Sequence, residues 1–458
     1  MKRVLFATLL CVSPFLNAED SKPKNIIMII GDGMGAAYTS AYRYFHDDPK
    51  TKKVEQTVFD RHLVGMSSTY PAPISGYVTD SAAAATALAT GIKTYNSAIG
   101  VDVDKKPLES VLVWAKKQGK KTGIVVTSHI NHATPASYLS NNESRHNYDQ
   151  IADSYFDKKI AGQFKADLMF GGGWKHFIRE DRNLVNEFKQ AGFYYLDNYK
   201  ALSKLPKNSP VLGLFADVGL PNAIDDNNKH RLSLMTKAAT KHLENEQGYF
   251  MLIEASQIDW AGHSNDVGKA MWELDDLAKT LEYLETYVES NPDTLVVITA
   301  DHNTGGFTIG ANKKYQWKPE VLRSMQNSAD KVAETLNNTP VTKQLVDELL
   351  NFTLTEQEFS QVSHAKSSAQ NEQQVFKEQV NQDNENSKNL KRPVSVTKAI
   401  HSSITNIIDN RTTSGWTTGG HTGADVQVFA MGANKALFSG LQDNTDIAKK
   451  IFKLLGKN

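Results

Sequence analysis

The sequence has almost no cysteine, since Cys11 is the only one in 458 residues. Cys11 lies in an N-terminal segment that we expect to be removed, so the mature chain is predicted to have no disulfide. Exported proteins often rely on disulfides, but here stability must come from packing and from bound metals. An excess of charge is also missing, because 51 Lys and Arg balance 51 Asp and Glu. That balance argues against nucleic acid or an anionic membrane as the main partner.

Long apolar runs are missing after the N-terminus. At the N-terminus itself, Lys2 and Arg3 precede an apolar run over residues 4–16, and the small residue Ala18 follows. This order predicts a secretory signal peptide at residues 1–18, cleaved near Ala18. The apolar run is too short to cross a bilayer comfortably, and no later stretch is a transmembrane candidate. We therefore expect a periplasmic or secreted protein with no membrane partner.

Short apolar runs alternate with polar stretches along the rest of the chain. These runs predict strands buried on both faces at 25–30, 122–127, 168–170, 249–253, 295–300 and 426–430. The stretches between them have helical spacing, as at 108–118 and 269–290. Strands that alternate with helices predict an α/β fold with a central, largely parallel sheet sandwiched between helices.

One region, at residues 313–393, has little strand signal. We predict an inserted helical subdomain there, a crown or cap, which divides the catalytic α/β domain into residues 19–312 and 394–458. Apolar positions at 341–350 and 376–380 have helical spacing, and the polar tract near 381–389 is predicted to be flexible.

Ser81 begins a segment of small residues that is predicted to be a helix. Asp80 and Ser81 stand where N-cap residues belong, and Gly91 ends the segment. By itself this pattern favours a buried, capped helix with a structural serine. A helix N-terminus also attracts phosphate through its free N–H groups, which makes Ser81 a candidate nucleophile.

Potential metal ligands follow several of the predicted strands or lie in Gly-rich turns. They are Asp32, Glu254, Asp259, His263, Asp301, His302 and His421. This set is too large for one zinc and suits a two-metal cluster with a third, oxygen-rich site. Paired metals can clamp the attacking and leaving oxygens of a displacement at phosphorus.

The segments that carry these residues resemble the motifs of the alkaline phosphatases, in that family's order. They are 31–35, 78–86, 132–136, 254–263, 300–302 and 419–423. The resemblance runs from about residue 24 to the C-terminus, apart from the insertion. It implies a bacterial, exported zinc/magnesium phosphomonoesterase with a broad range of small substrates and an alkaline pH optimum. It also implies a homodimer.

The resemblance implies roles for single residues. Ser81 attacks phosphorus and carries a phosphoserine intermediate. The first zinc, which activates the hydrolytic water, is held by Asp259, His263 and His421. The second zinc, which ionises Ser81, is held by Asp32, Asp301 and His302. A magnesium site is formed by Asp32, Thr134 and Glu254.

Three further residues are implicated in substrate binding. Arg145 occupies the place of the family's phosphate-clamping arginine, whose planar fork suits two phosphate oxygens. His132 stands where some bacterial members have Asp, and Trp260 stands where others have Lys or His. Both are expected near the third metal and the phosphate, so they bear on magnesium affinity and product release.

Two alternatives remain open from the residues. A metal-dependent phosphodiesterase or sulfatase of the same superfamily is one, but Arg145 with Thr134 and Glu254 suits a dianionic phosphoryl group better. A catalytically inactive phosphate- or metal-binding protein is the other, and Ser81 with a full ligand set argues against it.

Overall fold

The computed structural model describes residues 22–382 and 391–457. The predicted signal peptide lies outside these residues. Residues 381 and 382 end a helix, and the rest of the predicted flexible tract at 381–389 also lies outside the described residues.

The described chain alternates strands with helices. The strands are β1 Asn25–Gly31, β2 Leu63–Ser68, β3 Lys121–His129, β4 Leu168–Gly172, β5 Tyr194–Leu196, β6 Val211–Leu214, β7 Tyr249–Ala255, β8 Thr294–Thr299, β9 Asn303–Thr304, β10 Thr308–Ile309, β11 Ser414–Gly415, β12 His421–Thr422, β13 Val426–Gly432 and β14 Gly440–Asp443. The α-helices are α1 Ala36–His46, α2 Val58–His62, α3 Ser81–Thr90, α4 Val111–Lys117, α5 Ala133–Leu139, α6 Tyr148–Asp157, α7 Trp174–Phe177, α8 Leu184–Gln190, α9 Arg231–Leu243, α10 Gln257–His263, α11 Val267–Ser290, α12 Glu320–Ser324, α13 Ala329–Asn338, α14 Lys343–Leu350, α15 Glu356–Gln382, α16 Val396–Thr412 and α17 Asn444–Leu454.

Ten of the strands form one central sheet in the order β14-β2-β13-β8-β1-β7-β3-β4-β6-β5. Its pairings are parallel except those of β13, which runs antiparallel to β2 and β8. Every predicted apolar run forms a strand of this sheet, so the predicted α/β fold is confirmed. The strands β2, β5, β6 and β14, which lie toward its edges, were not predicted from the sequence.

The strand β1 shows why the predicted runs were continuously apolar. Ile27 and Ile29 pack into one core, whereas Ile26, Met28 and Ile30 pack into the other, because successive side chains point to opposite faces. The first core is covered by α1, α9 and α11, and the second by α3, α4, α5 and α17. Helices on both faces leave the two ends of the parallel strands as the places where a ligand can approach.

The predicted insertion is helical in its described part. It contains α12 to α15; α14 covers most of the predicted helix at 341–350, and α15 includes residues 376–380. The helix α16, which follows it, packs against both α13 and α15. The domain boundaries at 312/313 and 393/394 stay predictions.

Within residues 22–382 and 391–457, none of the helices is both long and apolar enough to span a membrane.

Candidate active site

Three buried carboxylates meet at the carboxyl ends of adjacent parallel strands. Asp32 follows β1, Glu254 is near the end of β7, and Asp301 follows β8. The strands β7, β1 and β8 are neighbours, with Ile30 opposite both Glu254 and Thr299. The parallel register therefore brings acids that are distant in sequence to one edge of the sheet, as the strand-end motifs predicted.

A first group of potential ligand atoms comes from Asp259, His263 and His421. The helix α10 places Asp259 and His263 one turn apart, so that His263 Nε2 lies 3.4 Å from Asp259 Oδ2. The strand β12 pairs with β9 and brings His421 Nε2 to 3.1 Å from His263 Nε2 and 3.5 Å from Asp259 Oδ1. The three ligand atoms lie within 4.8 Å of one another.

Backbone carbonyls orient both imidazoles of this group. His263 Nδ1 lies 2.7 Å from Gly419 O, and His421 Nδ1 lies 2.9 Å from Thr79 O. A carbonyl can only accept, so each Nδ1–H donates and each Nε2 keeps its lone pair for the centre of the group. This is the tautomer that metal ligation by Nε2 requires.

The second group contains the candidate nucleophile. Asp32, Asp301 and His302 are fully buried, and His302 Nε2 lies 3.4 Å from Asp32 Oδ1 and 3.2 Å from Asp301 Oδ2. Ser81 Oγ lies 3.1 Å from the same His302 Nε2. The three ligand atoms again lie within 4.8 Å of one another, so a cation held here would be next to Ser81.

The third group shares Asp32 with the second. Ligand atoms of Asp32, His132 and Glu254 lie within 4.8 Å of one another. Thr134, the second residue of α5, is fully buried, and its Oγ1 has no hydrogen-bond partner. Glu254 Oε2 accepts a 3.3 Å hydrogen bond from Ser128 Oγ, which leaves Oε1 free.

Buried polar atoms without a hydrogen-bond partner concentrate at these groups. They are the oxygens Asp32 Oδ1 and Oδ2, Asp301 Oδ2, Glu254 Oε1 and Thr134 Oγ1. An unpaired buried polar atom costs about 1–3 kcal/mol, and more when it is charged. Divalent cations would satisfy these atoms, so the residues fit the metal centre that the sequence predicted.

The acids also repel one another without cations. Burial, and then the charge of Asp259, raises the pKa of Asp301 to about 7. Burial raises the pKa of Glu254 to about 7, and burial with the charge of Asp301 raises the pKa of Asp32 well above its usual value. Bound cations would offset this repulsion and keep all the carboxylates ionised.

Arg145 is held toward the nucleophile by Asp80. Its Nη1 donates to Asp80 Oδ2 at 3.1 Å, and its Nη2 donates to His132 Nε2 at 3.2 Å. The side chain is only 14% exposed, although the local sequence by itself would suggest a surface residue. Asp80 is also the N-cap of α3, since its Oδ1 accepts from Ala83 N at 3.0 Å. The same carboxylate therefore positions both the helix of Ser81 and the arginine.

Trp260 lies against His132 at the rim of the third group. The two ring centroids are 6.1 Å apart in an edge-to-face arrangement. The other side of the indole packs on Gly219, where an added Cβ would lie 2.4 Å from the ring. The structure brings Trp260 near the third group, and its effect on phosphate stays a prediction.

Three residues that orient the site have no such role in the sequence-based prediction. Asp80 was recognised only as a cap, Ser128 contacts Glu254 as described above, and Thr304 Oγ1 donates to Asp259 Oδ1 at 2.5 Å. Thr304 stands two residues after His302, and that proximity was the only signal for it. Gly33 has a φ of +74°, and an added Cβ would lie 2.7 Å from Thr304 Oγ1, so this turn requires glycine.

Comparisons with known proteins agree with this geometry. The sequence model described as "Alkaline phosphatase" matches residues 23–457. Alkaline phosphatase 3 of Bacillus subtilis (strain 168) is 45% identical over 441 residues, which cover 95% of this chain and 89% of that protein.

Two solved structures extend the comparison. A cold-active alkaline phosphatase from the psychrophile Shewanella sp. is 44% identical with a TM-score of 0.84, covering 94% of this chain and all of that one. A mutant alkaline phosphatase from the Antarctic bacterium TAB5, with magnesium in its M3 site, is 25% identical with a TM-score of 0.67, covering 96% and 99% of the two chains. The chain belongs to the alkaline phosphatase family, whose members hydrolyse phosphate monoesters.

Proposed function

We propose that Ser81 is the nucleophile of this phosphomonoesterase. In the first step the Ser81 Oγ–phosphorus bond forms and the bond to the leaving alcohol breaks. In the second step water attacks phosphorus, the bond to Ser81 Oγ breaks, and inorganic phosphate is released. The observation that carries this proposal is the position of Ser81 Oγ, buried at the N-terminus of α3 and 3.1 Å from His302 Nε2.

We propose that two zinc ions and one magnesium ion complete the site. The first group has two imidazoles and the second has one beside two carboxylates, and both sets of nitrogen and oxygen ligands suit zinc, whereas the acids and hydroxyl of the third suit magnesium. When bound, such ions stabilise negative charge on the attacking and leaving oxygens. The proposed ligands are Asp259, His263 and His421 for the first zinc, Asp32, Asp301 and His302 for the second, and Asp32, Thr134 and Glu254 for magnesium.

Other residues would bind and orient the phosphoryl group. Free N–H groups at the start of α3 point toward a phosphate on Ser81 and favour its negative charge. The planar fork of Arg145, held by Asp80, would bind two of its oxygens. Burial of Ser81 at 1% exposure strengthens these interactions because little water competes with them.

His132 and Trp260 are proposed to tune the affinity for magnesium and product. Burial and the nearby charge of Arg145 lower the pKa of His132 well below its usual value, so its imidazole is neutral. A neutral ring supplies less negative charge than a carboxylate, which weakens magnesium binding. The indole of Trp260 offers no charge to phosphate, which favours product release.

The family resemblance also supports several wider proposals. They are export to the periplasm or medium after cleavage near Ala18, a homodimer, a broad range of phosphate monoesters, and an alkaline pH optimum. The charged, apolar and small residues of 1–18 support export.

Metal analysis beside substrate turnover tests the proposal. The purified enzyme should contain two zinc and one magnesium per chain, and should hydrolyse an aryl phosphate monoester far faster than the matching diester or sulfate. Preferred turnover of the diester or the sulfate would show that the enzyme is a phosphodiesterase or a sulfatase instead.

A further inference from the structure

A cavity of about 1060 Å³ lies far from the candidate active site. It is formed by one face of α9, by the segment 199–208 that connects β5 to β6, and by Lys121 at the start of β3. The catalytic residues lie beyond the opposite end of these parallel strands. The nine residues of β3, at about 3.3 Å each, separate the two ends by about 26 Å. This distance excludes the cavity as part of the substrate site.

Part of the inner surface of the cavity is aliphatic. Leu234 and Ala238 lie one turn apart on α9, and Leu202 and Leu205 face them from the connecting segment. Tyr199 also lines the cavity, but its ring packs on Phe215 with centroids 5.0 Å apart. The wall therefore suits an alkyl chain better than an aromatic ring that needs a stacking partner.

Lysines surround this aliphatic surface. Lys237 and Lys241 flank Leu234 and Ala238 on the same face of α9, and the connecting segment adds Lys200 and Lys207. Within the described residues, none of these four ammonium groups forms an ion pair, and all four side chains are exposed. A fifth lysine, Lys121, donates to the carbonyl of His242 at 3.4 Å.

Negative charge is scarce around the cavity. Glu244 is the one acidic residue among those that line it, and it already accepts a 3.2 Å hydrogen bond from Tyr287 Oη. Five lysines against one acid make a strongly basic rim in a chain whose formal net charge is zero. An anionic group would be attracted to this rim while an apolar chain fills the interior.

We propose that this cavity binds an anionic amphiphile, an aliphatic chain with a carboxylate or equivalent head group, as a second site independent of catalysis. The chain lies along Leu234 and Ala238, the head group is held by Lys237 and Lys241, and Lys200 and Lys207 on the opposite wall add to its attraction. Both halves of the ligand are needed, because the aliphatic wall and the basic rim each recognise only one of them.

Calorimetric titration of the holoenzyme with dodecanoate, below its critical micelle concentration, tests the site. Dodecanoate should bind saturably with a stoichiometry of one. Acetate, which has no chain, and dodecyltrimethylammonium, which has the opposite charge, should not bind. Equal binding of the anionic and cationic amphiphiles, or no saturable binding of dodecanoate, would overturn the proposal.

Charge reversal shows where binding occurs. The double variant Lys237→Glu, Lys241→Glu should weaken dodecanoate binding on the order of tenfold or more, because two charged contacts are lost. Lys331→Glu, which reverses an exposed helical lysine elsewhere, should leave the affinity unchanged. Turnover of an aryl phosphate should be unaffected in all variants. The binding result therefore does not depend on whether the catalytic residues have been assigned correctly.

A second double variant distinguishes a loss of binding from a folding defect in α9. If turnover falls in the first variant, Lys200→Glu with Lys207→Glu reverses the charge on the opposite wall without changing α9. Weaker binding of dodecanoate with normal turnover supports the cavity. Unchanged affinity in a folded double variant overturns it.

Discussion

Replacing Asp80 should separate two roles that one carboxylate combines. Its Oδ1 caps α3 through Ala83 N, and its Oδ2 accepts from Arg145 Nη1 at 3.1 Å and from Ser97 N at 3.0 Å. Asp80→Asn keeps an oxygen for the cap but removes the charge that holds the guanidinium and the acceptor of Ser97 N. Asp80→Ala removes all three.

The magnitudes follow from these contacts. Arg145 and Asp80 have side chains that are 14% and 20% exposed, so their ion pair is only partly screened. Without it, Arg145 must be ordered when phosphate binds, which costs about 1–2 kcal/mol and weakens phosphate binding about 5- to 30-fold. Loss of the cap in Asp80→Ala costs about 1 kcal/mol, which lowers the melting temperature of a chain of this length by about 1 °C.

Inhibition of aryl phosphate hydrolysis by inorganic phosphate measures the first effect, and thermal unfolding of the holoenzyme measures the second. Asp80→Asn should weaken inhibition and lower the melting temperature slightly, because its amide nitrogen cannot accept from Ser97 N, whereas Asp80→Ala should weaken inhibition and also lose the stability of the cap. Ser395→Ala, which removes the N-cap of the distant α16, should lower stability alone. If Asp80→Asn binds phosphate as tightly as the unaltered enzyme, the positioning role of Asp80 is wrong.

The remaining predictions concern the nucleophile and the metals. Ser81→Ala should abolish the phosphoenzyme and leave the metal content unchanged; labelled phosphate trapped at the normal level on the Ala variant would contradict the assignment. Chelation should remove activity and lower the melting temperature, because the site forms only in the folded chain, whereas a reductant should do neither. In the metal-free protein, burial raises the pKa values of Asp301 and Glu254 to about 7, so these two groups bind more protons in the folded state than in the unfolded state. Their contribution to stability should therefore fall as the pH rises from about 4 to about 7, whereas buried histidines with lowered pKa values, such as His129 and His132, act in the opposite direction. The check is the melting temperature of metal-free Asp301→Asn against that of the unaltered chain across this window, and an equal pH dependence in both would contradict the shift of Asp301. His132→Asp should tighten magnesium binding, and Trp260→Lys should strengthen inhibition by phosphate; if both variants change only the melting temperature, these residues simply fill space.

Most of the central strands could be predicted because they are short, largely apolar and followed by a glycine, an acid or a histidine, although β13 contains Gln427. The edge strands β2 and β14 escaped prediction. Their exposed and half-buried residues, such as Leu63 and Leu441, give no continuous apolar run. β2 pairs with β13, and β14 pairs with β2, so both depend on long-range contacts rather than on local sequence pattern.

The positions of the ligand candidates were also encoded locally. Asp301 and His302 follow a buried strand, and Asp259 and His263 are four residues apart on one helix, so their clustering follows from elementary geometry. The phosphate-clamping role of Arg145, in contrast, was implied only by the family resemblance. Its own segment has no signal beyond that of a surface loop.

The sequence by itself determined the strand–helix alternation and the residues at each strand end, because burial on both faces and tight turns leave a local pattern. Only the tertiary structure decided that Ser128 would contact Glu254, that Asp80 would hold Arg145, and that lysines from α9 and 199–208 would surround one cavity. These partners are separated by many residues along the chain. No local pattern records such contacts, because they exist only once the sheet has fixed its strand order and register.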